Sequence, residues 1–210
     1  MIDINLYLFL NTSQNEFNIE EFFSKYRLNK IKETSNKNKI KENIISEHLF
    51  YKSLKHEGYN LKDMDIKTTK NGKPYFQNNN LKFNISHSND LYGVCYSNFE
   101  VGIDIEKINN IRNAIANKIY DNEVNLKKIS YDQIIKDFTI KESYIKYFGL
   151  TIFHNLKSIN ILDDKVVGNL GKLYYYNFKY KNYYITITSK QEFKLNIYNL
   201  DNKKLERLHI

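Results

Sequence analysis

Asp104 and Glu106 alternate with Ile103 and Ile105 in the run Val101-Gly-Ile-Asp-Ile-Glu106. Successive side chains of a strand point to opposite faces, so the isoleucines enter a core and the two carboxylates stand side by side on the other face. Carboxylates that close repel each other unless a cation lies between them. A hard divalent ion, Mg²⁺ or equally Mn²⁺, relieves the repulsion and keeps positions open for water and phosphate oxygens. Further along, Phe138-Thr-Ile-Lys-Glu-Ser-Tyr-Ile-Lys146 reads as a helix on which Glu142 and Lys146 are i and i+4 and share a face. That face offers a third carboxylate to the metal and a cation to a phosphate. Lys141 is a second candidate phosphate contact, one residue off that face.

Upstream, His87 sits between Ser86 and Ser88 at the end of an alternating run. Adjacent strand residues point to opposite faces and no glycine-framed nucleophile elbow is present, which argues against a serine hydrolase. A hydroxyl and an imidazole can instead bind a terminal phosphate. Asn71-Gly-Lys-Pro74 is a turn whose proline extends Lys73 from a stiff loop. A basic segment holds Arg27, Lys30, Lys32, Lys37, Lys39 and Lys41.

The elements that must position these groups follow from periodicity. Residues 2–10 alternate as a strand; 19–28 and 36–57 read as helices, the second stopped by Gly58. Strands over 81–88, 91–97 and 101–106 make a meander ending in the carboxylate pair. Residues 111–148 are mainly helical, broken near 120–123 and 127–131, with Gly149 as the stop. Strands follow over 159–162, 172–180 and 183–188, then one short strand and a basic tail over 191–210. The fold expected is α+β, two similar halves (1–99 and 100–210), each a helix packed on a small antiparallel sheet.

Apolar residues make up 41% of the 210, enough for real cores and against a disordered chain. The net charge of +8 favours an anionic partner. The single cysteine, Cys95, excludes an internal disulfide framework and reads as a buried thiol. No signal-peptide pattern and no bilayer-length apolar run is present, so a cytoplasmic protein without membrane contact is expected.

Three blocks together resemble the surfactin-synthetase-activating type of 4'-phosphopantetheinyl transferase: Gly72-Lys73-Pro74 with Phe83-Asn-Ile-Ser-His-Ser88, Gly102-Ile-Asp104-Ile-Glu106, and Phe138 to Lys146. The resemblance implies a monomer with its active site in the cleft between the halves. It implies transfer of the phosphopantetheine arm of coenzyme A to a serine of an acidic acyl or peptidyl carrier protein, with release of 3',5'-ADP. Lys32, Lys73, Pro74, Ser86 and His87 would hold the nucleotide and its 3'-phosphate; Asp104, Glu106 and Glu142 would hold Mg²⁺; Lys141 and Lys146 would contact the pyrophosphate or the serine hydroxyl, with Glu142 taking the proton. Two departures stand out. Phe138 replaces a common tryptophan, and an arginine usual in the basic segment has Asn38 near its place. A Mg²⁺-dependent nucleotide phosphodiesterase and a basic nucleic-acid-binding module are the alternatives, although no RNA-recognition signature is present and no nucleic-acid partner is expected.

Overall fold

The structure is a computed structural model that describes all residues except 12–22, 109–111, 122–123, 152–153, 202–203 and 209–210. In chain order the helices are α1 (Lys25–Lys32), α2 (Lys37–His56), α3 (Arg112–Ile119) and α4 (Tyr131–Phe148). The strands are β1 (Ile2–Leu10), β2 (Ile66–Thr68), β3 (Pro74–Phe76), β4 (Lys82–Ser88), β5 (Leu91–Ser97), β6 (Val101–Lys107), β7 (Asn160–Ile161), β8 (Lys165–Gly168), β9 (Gly171–Tyr180), β10 (Tyr183–Ser189), β11 (Phe193–Asp201) and β12 (Lys204–Leu208). The expected helix over 19–28 is shifted: α1 starts at Lys25, where Ser24 caps it by accepting the Arg27 N–H, and residues 19–22 lie outside the described residues.

Alternation decides which core each strand residue joins. Tyr7 and Phe9 of β1 and Tyr92, Val94 and Tyr96 of β5 meet Ile45, Leu49 and Phe50 of α2. From the opposite face, Ile4, Leu6 and Leu8 meet Val101, Ile103 and Ile105 of β6 and Ile185 and Ile187 of β10. Each such aliphatic side chain, buried completely, contributes roughly 2 kcal/mol. Two sheets therefore lie face to face, of order β12-β11-β1-β5-β4 and β6-β10-β9-β8-β7, with α2 outside the first and α4 outside the second. The class is α+β, as expected.

The last twenty residues do not form one strand and a tail. β11 pairs parallel to β1, Ile2 opposite Phe193, and β12 pairs antiparallel to β11, so the chain ends in the first sheet although its preceding strands belong to the second. Phe193, Leu195 and Ile197 thereby cover the inter-sheet core, and Tyr198 stacks on Tyr7 with centroids 4.9 Å apart.

β4 and β6 are facing edges, and side chains stitch them. Asn84 Oδ1, Ser86 Oγ and Ser88 Oγ accept the backbone N–H groups of Ile103, Ile105 and Lys107 at 3.4, 3.2 and 3.1 Å. The period of two is the same on both strands, so each residue of Asn84-x-Ser86-x-Ser88 meets one step of Gly102-x-Asp104-x-Glu106.

Candidate active site

Gly102 decides how closely α4 approaches β6. A Cβ there would lie 2.2 Å from the Ser143 carbonyl oxygen, 2.5 Å from Thr188 Oγ1 and 2.8 Å from the Tyr147 nitrogen, so only glycine lets the helix backbone rest on the strand. Ser130 caps α4 at its start and Gly149, at φ 64°, ends it. Glu142 and Lys146, one turn apart on that helix, are thus carried over Asp104 and Glu106.

Lys146 Nζ reaches Asp104 Oδ1 at 2.5 Å and donates to Ser86 Oγ at 2.8 Å. Ser86 donates in turn to Asp104 Oδ1 at 3.3 Å, and Ser88 to Glu106 Oε2 at 3.2 Å. The stitch that joins the sheets therefore also orients the carboxylates. Burial pushes the Asp104 carboxyl above its ordinary range, against the pull of the Lys146 ammonium. Burial and then the Asp104 charge push Glu106 up to about 8 and Glu142 to about 7. Burial also works against the Lys146 charge, but Asp104, with Glu142 and Glu106 behind it, holds the ammonium above the usual lysine value.

A divalent cation suits this donor set. Asp104 Oδ2 is buried without a hydrogen-bond partner among the described residues, and the carboxylates are hard oxygen donors held near one another at the cost of repulsion. The set is open, however: among the described residues no three acidic, histidine or cysteine side chains are drawn together into a metal-holding group, and the Lys146 ammonium supplies the positive charge at Asp104.

A groove of about 620 Å³ adjoins this cluster, lined by Lys73, Pro74, Asn84, His87 and Lys146 together with Arg27, Lys30 and Lys39. Of the expected nucleotide contacts, Pro74 and His87 face it, His87 stacked on Tyr92 with centroids 5.3 Å apart. Lys73 lines it as a strut: Nζ bonds Glu100 Oε2 at 2.9 Å and the Tyr147 carbonyl at 2.7 Å, tying the turn before β3 to the end of α4. Ser86 is buried, its hydroxyl committed to Asp104, Lys146 and the Ile105 N–H.

Two expected contacts are not at the site. Lys32 is exposed and does not line the groove, which Arg27 and Lys30 of the same helix do. Lys141 is buried on the other flank of α4, its ammonium on the Ile119 carbonyl at 2.7 Å, where it caps the end of α3. One residue on a helix is a rotation of about 100°, enough to take Lys141 away from the face that Glu142 shares with Lys146. Phe138 packs at the margin of the core beneath α4.

Arg27, read from the sequence only as part of the basic segment, is held in place at the groove. Its guanidinium is fixed by Glu47 at 3.1 Å and Asn43 at 2.7 Å, and Glu47 also accepts the Ser24 N–H. A buried glutamate on an apolar helix face was the available signal, since such a group requires a cation.

Residues 100–196 match the family described as the 4'-phosphopantetheinyl transferase superfamily. The 4'-phosphopantetheinyl transferase gsp of Aneurinibacillus migulanus is 39% identical over 93 residues, which cover 41% of this chain and 39% of that protein. The match thus spans about two fifths of the relative's length.

Proposed function

We propose, because residues 100–196 match the 4'-phosphopantetheinyl transferase superfamily, that this protein transfers the 4'-phosphopantetheine arm of coenzyme A to a serine of an acyl or peptidyl carrier protein. The serine Oγ bonds to the phosphorus that bears the arm, the bond from that phosphorus to the bridging pyrophosphate oxygen breaks, and 3',5'-ADP leaves. The observation that carries the reading is the approach of α4 to β6 at Gly102, which sets Glu142 and Lys146 against Asp104 and Glu106 at the end of a cation-lined groove.

Glu142, facing the acidic pair from α4, is the group assigned to take the serine proton, directly or through a bound water. Lys146, at the junction of the carboxylates and the groove, is assigned to the pyrophosphate. Pro74 and His87 would position the nucleotide, and Lys73 would join them by exchanging its Glu100 contact for a phosphate oxygen. Asp104, Glu106 and Glu142 would hold Mg²⁺, which when bound neutralises charge on the pyrophosphate.

We read the two sheet-and-helix units as two similar halves, divided near residue 99, with the reaction in the cleft where they meet. The β11–β12 hairpin returns to the first half across that division. The net charge of +8 would steer an acidic carrier domain into place. A monomer acting in the cytoplasm, without nucleic acid or membrane, fits this role. No helix among the described residues is long and apolar enough to cross a membrane.

The test is intact-protein mass spectrometry of an apo carrier protein incubated with this chain, coenzyme A and Mg²⁺, beside Asp104→Ala and a chelator control. A gain of one arm, lost in both controls, is expected. Coenzyme A cleaved without transfer would replace this reading with a phosphodiesterase.

A further inference from the structure

Three of the cations that line the groove hold a carboxylate: Arg27 holds Glu47 at 3.1 Å, Lys146 holds Asp104 at 2.5 Å and Lys73 holds Glu100 at 2.9 Å. Their partners differ in burial. The side chains of Glu47 and Asp104 are 1% and 3% exposed, whereas that of Glu100, in the turn between β5 and β6, is 44% exposed. Taking the cation from a buried carboxylate leaves a charge that its surroundings solvate badly, and such a break is strongly destabilising. A half-exposed carboxylate is solvated by water instead, and the pair it leaves was weak to begin with. Lys73 is therefore the paired cation that a ligand can recruit at least cost.

Lys73 is also part of a wall. With Pro74 it lines both this groove and a second one of about 470 Å³, and Glu100, Lys82 and Tyr147 line only the second. Its stem lies on Gly149, where a Cβ would stand 3.2 Å from Lys73 Cδ and 3.3 Å from its Cβ. Its ammonium is turned to the second groove, donating to Glu100 Oε2 and, at 2.7 Å, to the Tyr147 carbonyl. Lys82 approaches the other Glu100 oxygen at 3.9 Å, so that carboxylate keeps a cation near it when Lys73 leaves.

We propose that Glu100 is a positioning residue that competes with the donor nucleotide for Lys73, and so sets how tightly the donor binds. The inference rests on the transferase reading. A phosphate in the first groove draws the ammonium across by rotation of the last side-chain bonds, while the stem stays on Gly149 and the turn before β3 keeps its place. The exchange is favourable because a phosphate group offers several charged acceptor oxygens to a lysine that held one. Glu100 thus opposes donor binding and, by tying the turn to β6, stabilises the free protein. A residue that only braced the turn would act the other way on binding, since its loss would loosen the groove and weaken the donor.

Calorimetric titration of the full chain with 3',5'-ADP tests this as a double-mutant cycle. Glu100→Gln binds the nucleotide about fivefold more tightly than the wild type, the upper range for a half-exposed ion pair, and Glu100→Ala does the same. In a Lys73→Met background the same substitutions change affinity by less than about twofold, because the competition has lost its object. Lys73→Gln repeats the cycle, and melting curves confirm that each variant is folded, with Glu100→Gln melting below the wild type when no ligand is present. In the carrier-modification assay the KM for coenzyme A falls with the dissociation constant. The proposal is overturned by weaker binding in Glu100→Gln, by failure of 3',5'-ADP to bind the wild type, or by an equal gain with and without the Lys73 ammonium, which would report only a negative charge removed at a distance. Carrier modification with a KM that Glu100→Gln does not lower removes the Glu100 inference and leaves the transferase reading standing. An intact binding cycle without transfer to any carrier removes the transferase reading and leaves the competition for Lys73.

Discussion

Replacing Gly102 by alanine adds a single methyl group to β6, where it would stand 2.2 Å from the Ser143 carbonyl oxygen and 2.8 Å from the Tyr147 nitrogen. Ordinary contacts of a Cβ begin at 3.4 Å, so α4 must withdraw by about 1 Å, because the atoms in the way are helix backbone and cannot rotate aside. Overpacking of this kind costs about 1–3 kcal/mol. The withdrawal also stretches the 2.5 Å contact of Lys146 with Asp104 and moves Glu142 with it. A misplacement of that size in a reacting constellation lowers a rate by about 10²-fold. The control is Gly93→Ala, whose methyl meets the side-chain tips of Ile105, Ile103 and Leu8 at 2.6, 3.1 and 3.3 Å, atoms that can turn away without moving a helix. Thermal melts and carrier-modification rates are the assays. Both variants lose stability, and Gly102→Ala alone loses most of its rate. Equal rates in the two would refute the argument that the glycine sets the position of the catalytic face.

Raised carboxylate pKa values favour the protonated forms in the folded state, so their contribution is present below the ordinary glutamate value and lost as pH rises to about 7 and 8. For Glu142 alone the loss is about 3 kcal/mol. Urea unfolding with chelator present should therefore show lower stability at pH 8.5 than the Glu106→Gln, Glu142→Gln double variant does, with the gap closing toward pH 4; a constant gap would contradict it. Lys141→Met removes a cap from α3 and should leave the transfer rate within about threefold, whereas Lys146→Met should lower it by two orders of magnitude or more. Equal losses in steady-state assays would put Lys141 back at the site. Ser86→Ala strips the Ile105 N–H and Asp104 of a partner and should cost about 1–3 kcal/mol in denaturant melts, together with activity. A loss of activity without loss of stability would separate the hydroxyl from the seam.

The alternation of β1, β4, β5, β6 and β10 and the Gly149 stop of α4 are local patterns, and they were legible because one residue in two must face a core and a helix end favours glycine. Phase also put Asp104 beside Glu106 and Glu142 beside Lys146, whereas the meeting of the two faces was implied only by the resemblance. The return of β11 to β1 was not legible, because parallel pairing between residues about 190 apart leaves no mark on either segment alone. Nor could spacing tell that Lys73 and Ser86 already hold partners within the protein. Both have the chemistry of a phosphate ligand, and only the partners Glu100, Tyr147, Asp104 and Ile105 show what they hold.

The stitch between β4 and β6 has a consequence for solubility. An open strand edge is a template for pairing with another molecule, and β4 and β6 are two such edges, the far ends of their sheets being β12 and β7. Asn84, Ser86 and Ser88 close them with side chains, and two of the three hydroxyl or amide groups involved also hold the acidic pair. Protection from self-association and the aim of the carboxylates thus depend on the same atoms. Drift at these positions would be caught twice, once as lost chemistry and once as precipitated protein.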